Sequence, residues 1–383
     1  MVNALVRGGL LQEALNIVQE MKSNGIPPNT VTYTAVIKGF SGNGNVKEAV
    51  QILNDMEGGE TLPNLRTYNT VLRGCVQAGD YGEAQNIMNK LSQHNLQKDH
   101  STVLSLLKLH VQQMQIKEAW SDFQELLNFP ITIEPTIYTL LATGAALAKE
   151  EAITKEVLDK LSKRNDLTPL ILREIQTIQS YKAKAVPNPQ KTDRLYRWSE
   201  GHAVNWGLIP FQHPKGPVNM EICSGLGEWV INRCKKEQDK NWISLEQRYD
   251  RVLQTWSKME LQKITNLFVC CGEASAILKQ DCFKNKLDAI FVNFPDPPHN
   301  EENNRLFNAD FIKLVHQVLK AQGTIEVLTD DKHYYNIITR EFTSSNLFSE
   351  HPTQNSNDPT YFDELEKSVG RTERFSTAFK KRN

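Results

Sequence analysis

Along residues 1 to about 165, apolar positions recur with a helical stagger and on a longer fixed beat. The stretch T-Y-T-A-V-I-K-G-F (Thr32 to Phe40) predicts an apolar helix. Gly and Asn interrupt at 41–45 and again, as A-G-D, at 78–80; Gly and Asn tolerate the left-handed backbone that ends a helix. A second helix follows over 46–56, where Val46, Ala49, Val50, Ile52, Leu53 and Met56 form one stripe. Proline closes the units in G-I-P-P-N (25–29) and T-L-P-N (61–64). Glu-Ala returns at Glu13-Ala14, Glu48-Ala49, Glu83-Ala84 and Glu118-Ala119, and an aromatic or apolar site at Tyr33, Tyr68, Val103 and Tyr138, both with a period of 35 residues. Two anchors on one period predict stacked helical hairpins, an α-solenoid, with alanine where paired helices approach closely. A degenerate fifth unit spans Thr136 to Lys163. Met1 to Gly9 reads as the end of a first helix, so the array and any targeting segment are expected to begin upstream.

The period fades beyond Leu161. Residues 170–181 still predict a helix, and K-A-K-A-V-P-N-P-Q-K (182–191) reads as a connector. The boundary is expected near residue 185, with repeats over 1–165, a linker over 166–192 and a second domain over 193–383.

In that second domain the pattern switches to strand, loop, helix. Residues 217–231 predict a strand, a glycine turn and a helix start; W-I-S-L-E (242–246) predicts a strand ending on an acid. Arg248 to Trp256 predicts a helix, 266–274 and 288–298 two more strands, 311–320 an amphipathic helix and 323–330 a fifth strand. Such alternation implies an α/β Rossmann-like domain, a parallel sheet covered on both faces with ligands at the carboxyl ends of its strands.

Composition adds little. With 44 basic against 45 acidic residues, any basic surface must be local. The six cysteines include no C-x-x-C pair, which suits a reducing compartment and predicts no metal site. No apolar run approaches a membrane span.

The acids change the picture. Glu221, Glu246, Glu273, Asp296 and Asp330 each fall at a predicted strand end. Glu246 follows Gly225-Leu226-Gly227 by 19 residues, the spacing that suits a ribose diol. A carboxylate row also suits a cationic ligand. S-adenosylmethionine carries a sulfonium and an ammonium, and an adenine amino group from which Glu273 could accept. A dinucleotide is the rival, but the turn lacks the third glycine of G-x-G-x-x-G, so S-adenosylmethionine is favoured.

Two resemblances follow. T-Y-N-T-V-L-R-G-C (67–75), A-G-D-Y-G-E-A (78–84) and M-K-S-N-G-I-P-P-N (21–29) resemble the pentatricopeptide repeat; the W-x-x-L-G-x-x-Y of the tetratricopeptide unit is absent. That resemblance implies binding of single-stranded RNA or tRNA, one base per repeat. It implies that Thr34 with Asn64 reads adenine and Asn69 with Asp99 reads uracil; Leu104 and Glu134 depart from the pattern. It also implies a mitochondrial or chloroplast protein, with the cytoplasm as the alternative, and neither DNA nor membrane as partner. V-N-F-P-D-P-P (292–298), with E-I-C-S-G-L-G-E (221–228), L-T-D (328–330), H-A-V-N (202–205) and R-T-E-R-F (371–375), resembles the tRNA (guanine-N7)-methyltransferase family over most of 200–380. By that resemblance Glu221, Gly225, Gly227, Glu246, Glu273, Asn293 and Asp296 bind S-adenosylmethionine, and Asp296 and Asp330 are catalytic. Asp330, Thr372 and Glu373 would line the guanine pocket. Three departures stand out: Cys223 replaces the first turn glycine, Pro298 replaces the tryptophan after Asp-Pro, and H-N-E-E-N-N-R-L (299–306) replaces a basic run. The expected activity is methyl transfer to guanine N7; the alternative is an RNA maturation factor with a degenerate methyltransferase module. A protein-binding scaffold is a third reading of the solenoid.

Overall fold

A computed structural model describes residues 1–182, 184–186, 188–198, 204–296, 306–353 and 373–382. The chain divides into two compact units, Met1–Pro189 and Gln190–Asn383.

The first unit is built of helical hairpins: α1 (Val2–Arg7) with α2 (Leu11–Ser23), α3 (Thr30–Gly42) with α4 (Val46–Glu57), and α5 (Leu65–Ala78) with α6 (Tyr81–Gln93). Two more follow, α7 (His100–Gln112) with α8 (Ile116–Leu126) and α9 (Pro135–Ala148) with α10 (Glu151–Ser162), and then α11 (Pro169–Ser180). The repeating alanines Ala14, Ala49, Ala84 and Ala119 are no more than 1% exposed, and Tyr33, Tyr68, Val103 and Tyr138 are buried beside them. First helices stack in order, α1 on α3, α3 on α5, α5 on α7. The first helices α3, α5 and α7 start at side-chain caps on the same beat. Asn29, Asn64 and Asp99 accept from the backbone N–H of Thr32, Thr67 and Thr102, which satisfies a donor that the helix itself leaves open. The turn inside each hairpin is also periodic. Gly9, Gly44 and Gly79 hold φ of 80°, 80° and 67°, and Met114 and Lys149 take the same left-handed place at 57° and 64°.

The second unit is an eight-stranded sheet with helices packed on it. Its strands are β1 (Leu195–Arg197), β2 (Val218–Ile222), β3 (Asn241–Glu246), β4 (Leu267–Cys271), β5 (Leu287–Asn293), β6 (Leu319–Thr329), β7 (Phe348–His351) and β8 (Phe375–Lys381). The order is β1-β4-β3-β2-β5-β6-β8-β7. Strands β1 to β6 run parallel; β8 pairs antiparallel with both β6 and β7. The sheet is therefore mixed, not purely parallel as the strand–helix alternation predicts. The helices are α12 (Glu228–Lys236), α13 (Tyr249–Leu261), α14 (Ala274–Leu278), α15 (Ala309–Val318) and α16 (Lys332–Ser344).

One sheet face is apolar. Met220, Ile222, Ile243, Ile290, Val292, Ile325 and Val327 join Phe311 and Phe342 in one core, each fully buried side chain contributing roughly 1.5–3 kcal/mol. The other face carries Glu221, in register with Ser244 on one side and Phe291 on the other. Chain order reverses at β2, whose neighbours are β3 and β5, so a crevice opens beyond its carboxyl end.

Candidate active site

The turn after β2 is held in left-handed backbone at three positions: Cys223 (φ 61°), Gly225 (φ 54°) and Gly227 (φ 78°). The two glycines have different reasons. A Cβ on Gly225 would meet nothing within 4 Å, whereas one on Gly227 would lie 2.5 Å from the Thr255 side chain of α13. Gly227 thus lets α12 pack on α13, and Gly225 leaves open room at the crevice. Lys258 ties the turn down: its ammonium donates to the Leu226 carbonyl at 3.0 Å and contacts Glu228.

A cavity of about 180 Å³ lies there, lined by Glu221, Cys223, Gly225, Arg251, Asn293 and Phe294 among others. Glu221 is 2% exposed. Its Oε1 accepts from Asn293 Nδ2 at 2.9 Å, while Oε2 has no hydrogen-bond partner among the described residues. Burial, against the Asn293 bond and with Glu228 and Glu246 adding repulsion, pushes its carboxyl up to about 8. Glu246, at the end of β3, accepts from Gly225 N–H on Oε2 and Arg248 N–H on Oε1, both at 3.0 Å. Each oxygen keeps a second lone pair, and burial raises this carboxyl as well. Arg251, whose guanidinium stands 3.9 Å from Glu246, is the cation among the described lining residues. Phe294 adopts φ 50° as its N–H reaches Leu328 O at 2.7 Å, a left-handed aromatic directly at the crevice.

The remaining acids share this edge of the sheet. Asp296 follows β5 and is exposed; Asp330 follows β6 and is half-buried. Glu373 precedes β8, whose Phe375 pairs with Thr329, so antiparallel pairing returns Glu373 to the edge that carries Asp330. Glu273 is exposed and caps α14, accepting from Ser275 N–H at 2.9 Å and Ala276 N–H at 2.7 Å. His202, Pro298, the run through Arg305 and Thr372 lie outside the described residues. Sequence reasoning missed Arg251 and Phe294. Arg251 left one signal, a cation five residues after the acid that ends β3.

In the repeat unit the four reading positions form junctions between hairpins. Thr34 Oγ1 meets Thr67 Oγ1 at 3.0 Å, and Asn64 caps α5 through Thr67. One repeat on, Asn69 donates to Asp99 Oδ1 at 2.9 Å, and the Thr102 hydroxyl lies 2.7 Å from Asn69 Oδ1. Burial opposes the Asp99 charge, but the bonds from Thr102 and Asn69 outweigh it and hold the carboxyl below its usual range. Asn64 and Asp99 are helix caps in this fold, and Asn69 is 4% exposed.

Residues 215–381 match the family described as "Putative methyltransferase". Residues 1–42 and 28–77 match the PPR repeat family, and 66–96 the PPR repeat. A tRNA (guanine-N(7)-)-methyltransferase of Chlamydia felis is 36% identical over 172 residues, covering 43% of this chain and 76% of its own. The chain belongs to the tRNA (guanine-N7)-methyltransferase family. A second tRNA (guanine-N(7)-)-methyltransferase, from Chlamydia caviae, is 39% identical over 120 residues, 31% of this chain and 54% of its own, so that match spans about half of the relative. The PPR domain of Arabidopsis thaliana protein-only RNase P 1, solved in complex with tRNA, is similar at 16% identity, covering 46% of this chain and 94% of its own with a TM-score of 0.41. Membership in a tRNA (guanine-N7)-methyltransferase family implies S-adenosylmethionine as methyl donor, and what precedes that domain here is a PPR array. No described helix is long and apolar enough to cross a membrane.

Proposed function

We propose that the chain methylates guanine N7 of RNA, with tRNA as the substrate, and that its PPR array holds the RNA. One observation carries the reading: Glu221, whose buried Oε2 has no hydrogen-bond partner among the described residues, lines a cavity at the switch point of the sheet. The donor set fits S-adenosylmethionine. Glu221 would take its ammonium, Arg251 its carboxylate and Glu246 its ribose hydroxyls, with Gly225 leaving room for close approach. When bound, S-adenosylmethionine supplies a methyl carbon whose bond to sulfonium breaks as the guanine N7 lone pair forms the new C–N bond, leaving a neutral thioether and a cationic purine.

Guanine N7 already holds a free lone pair, so the protein needs no strong base there. Its residues act by alignment and by charge. Asp296 and Asp330 would stabilise the positive charge that develops on the purine and accept from its N1 and N2 protons. Glu373, returned to the same edge by β8, supports a role at the base. Thr372 is assigned to the same pocket by family resemblance alone. Glu273, already bound to two backbone donors, would accept from the adenine amino group only with its remaining lone pairs. Thr34 with Asn64 and Asn69 with Asp99 would read bases. The repeat family supports placement in a mitochondrion or chloroplast, with the cytoplasm as the alternative.

The test is methyl transfer from labelled S-adenosylmethionine to tRNA, with the product mapped to N7. Asp296→Ala is expected to slow transfer by about 100-fold, the scale for removing one group that stabilises developing charge. If the wild type transfers nothing to any guanine-containing RNA, the enzyme reading fails. A second reading, an RNA maturation factor with an inactive module, then stands. It draws on Pro298 and on H-N-E-E-N-N-R-L at 299–306, with Arg305 and two acids where the family is basic.

A further inference from the structure

Strand β1 has no counterpart among the strands that the apolar runs predict, and Arg194 accounts for its place. The Arg194 guanidinium donates to Leu267 O at 3.2 Å, reaches Ile264 O and stands 3.4 Å from Glu260 of α13. Its carbonyl accepts from Val269 N–H at 3.0 Å. From there β1 runs parallel to β4, with Leu195, Tyr196 and Arg197 opposite Val269, Cys270 and Cys271. The period of two sets Arg197 over the Tyr249 ring, 4.8 Å from its centroid. It turns Tyr196 and Trp198 to the opposite face, against the apolar core.

Trp198 N–H donates to Cys271 O at 2.8 Å, so Trp198 stands at the carboxyl edge of the sheet. Gly272 permits this approach: a Cβ there would lie 3.0 Å from Trp198 Cβ and 3.1 Å from the Ile277 side chain of α14. The Gly272 N–H donates the other way, to Glu246 O at 3.0 Å. A partly buried indole therefore stands one strand beyond Glu273 and two beyond Glu246. The strand order β2, β3, β4, β1 lines up Glu221, Glu246, Glu273 and Trp198 along one edge. Three strand spacings make that row about 14 Å long.

Given the proposed binding of S-adenosylmethionine, we infer that Trp198 stacks on its adenine ring and closes the far end of the site. With the ammonium at Glu221 and the ribose at Glu246, the base extends over β4 toward β1. Glu273 there already gives each oxygen to a backbone donor, so the edge of the base finds little that is free. The face of the base finds an indole, and stacking on an aromatic ring needs no hydrogen-bonding edge. Trp198 is thus a binding residue that grips the base by its plane.

The test uses the full chain and two probes, S-adenosylmethionine and adenosine, which lacks the methionine half. Trp198→Ala is expected to weaken both by about 10-fold or more, the scale for one base–aromatic stack. Trp198→Phe keeps an aromatic face and should hold both affinities within about threefold. Adenosine should quench the tryptophan emission of the wild type. Trp198→Phe should lose that quench while still binding, a split that an indole with a purely structural role would not produce. Trp206→Phe, at a ring that packs on Phe211 and Phe283, is the control and should keep both quench and affinity. Equilibrium dialysis with labelled ligand measures affinity, and circular dichroism checks folding. If Trp198→Ala binds adenosine like the wild type, or Trp198→Phe is quenched in full, the stack is refuted while cofactor binding stands. A wild type that binds S-adenosylmethionine but not adenosine overturns it as well, since the base end then carries no grip. If the wild type binds neither probe, the stack and the cofactor reading fall together.

Discussion

Both units use left-handed backbone, but they distribute it differently. In the repeat unit it recurs at Gly9, Gly44, Gly79, Met114 and Lys149, one per hairpin. Each occurrence does the same job of turning a first helix into a second. In the methyltransferase unit Cys223, Gly225 and Phe294 gather around one cavity, with Gly227 behind them. Left-handed backbone that is periodic belongs to the architecture. Strain that is clustered where a buried carboxylate oxygen lacks a partner among the described residues belongs to a site.

The sharpest way to break this comparison is to add one Cβ in each unit. At Gly227 an alanine meets both the left-handed penalty and Thr255, and the expected loss is about 3 kcal/mol. At Gly44 nothing lies within 4 Å, so only the backbone penalty remains, about 1–2 kcal/mol. Five of the six tryptophans lie in Gln190–Asn383, so tryptophan fluorescence during denaturation follows the methyltransferase unit. Circular dichroism follows the helical repeats. Equal losses at both positions would show that crowding at Gly227 has no energetic weight.

Glu221 gives the next effect. Its carboxyl rises from an ordinary 4.5 to about 8 on folding. Between those values the folded chain keeps a proton that the unfolded chain has lost, so stability is full below pH 4.5 and declines as pH rises toward 8. An ammonium ligand requires the ionised form. S-adenosylmethionine should therefore bind more tightly as pH approaches 8 and should release a proton below it. Titration calorimetry in two buffers of different ionisation enthalpy measures that proton. Glu221→Gln should abolish the release, flatten the stability slope and weaken binding by about 10–100-fold, the scale for a charged hydrogen bond. An unchanged proton count would place the ammonium elsewhere.

Arg251 ranks lower because its guanidinium is partly exposed and already faces Glu246. Arg251→Gln should weaken S-adenosylmethionine by roughly tenfold. Decarboxylated S-adenosylmethionine should bind both proteins equally. If the variant loses both ligands alike, Arg251 supports the turn and not the carboxylate.

The sequence made some of these features legible and hid others for physical reasons. The 35-residue beat exposed the solenoid because each hairpin must bury the same alanine and aromatic sites against its neighbours. Strands β2 to β6 were legible as apolar runs flanked by turns. Strands β7 and β8 were not, since F-S-E-H is short and F-S-T-A-F-K-K alternates weakly; each is completed by pairing with residues distant in the chain, from His351 with Ala378 to Phe348 with Lys381 and, for β8, with β6 as well. Glu221, Asn293 and Glu246 could be named from motif and strand end. Arg251 left only its five-residue spacing from Glu246, and the left-handed Phe294 depends on how β5 meets the cavity, which no spacing encodes.

The smallest effect tests the periodic half of the comparison alone. Met114 and Lys149 occupy a turn position where the earlier hairpins carry glycine, so each has a side chain in backbone that disfavours one. Met114→Gly and Lys149→Gly should each stabilise the repeat unit by about 0.5–1 kcal/mol, the left-handed relief being offset in part by the freer unfolded chain. Neither should alter S-adenosylmethionine affinity. Cys223→Gly relieves the same strain, yet it also removes a side chain that lines the cavity, so it should raise stability and change that affinity together. If Cys223→Gly raises stability and leaves binding untouched, the clustered strain is as purely architectural as the periodic kind.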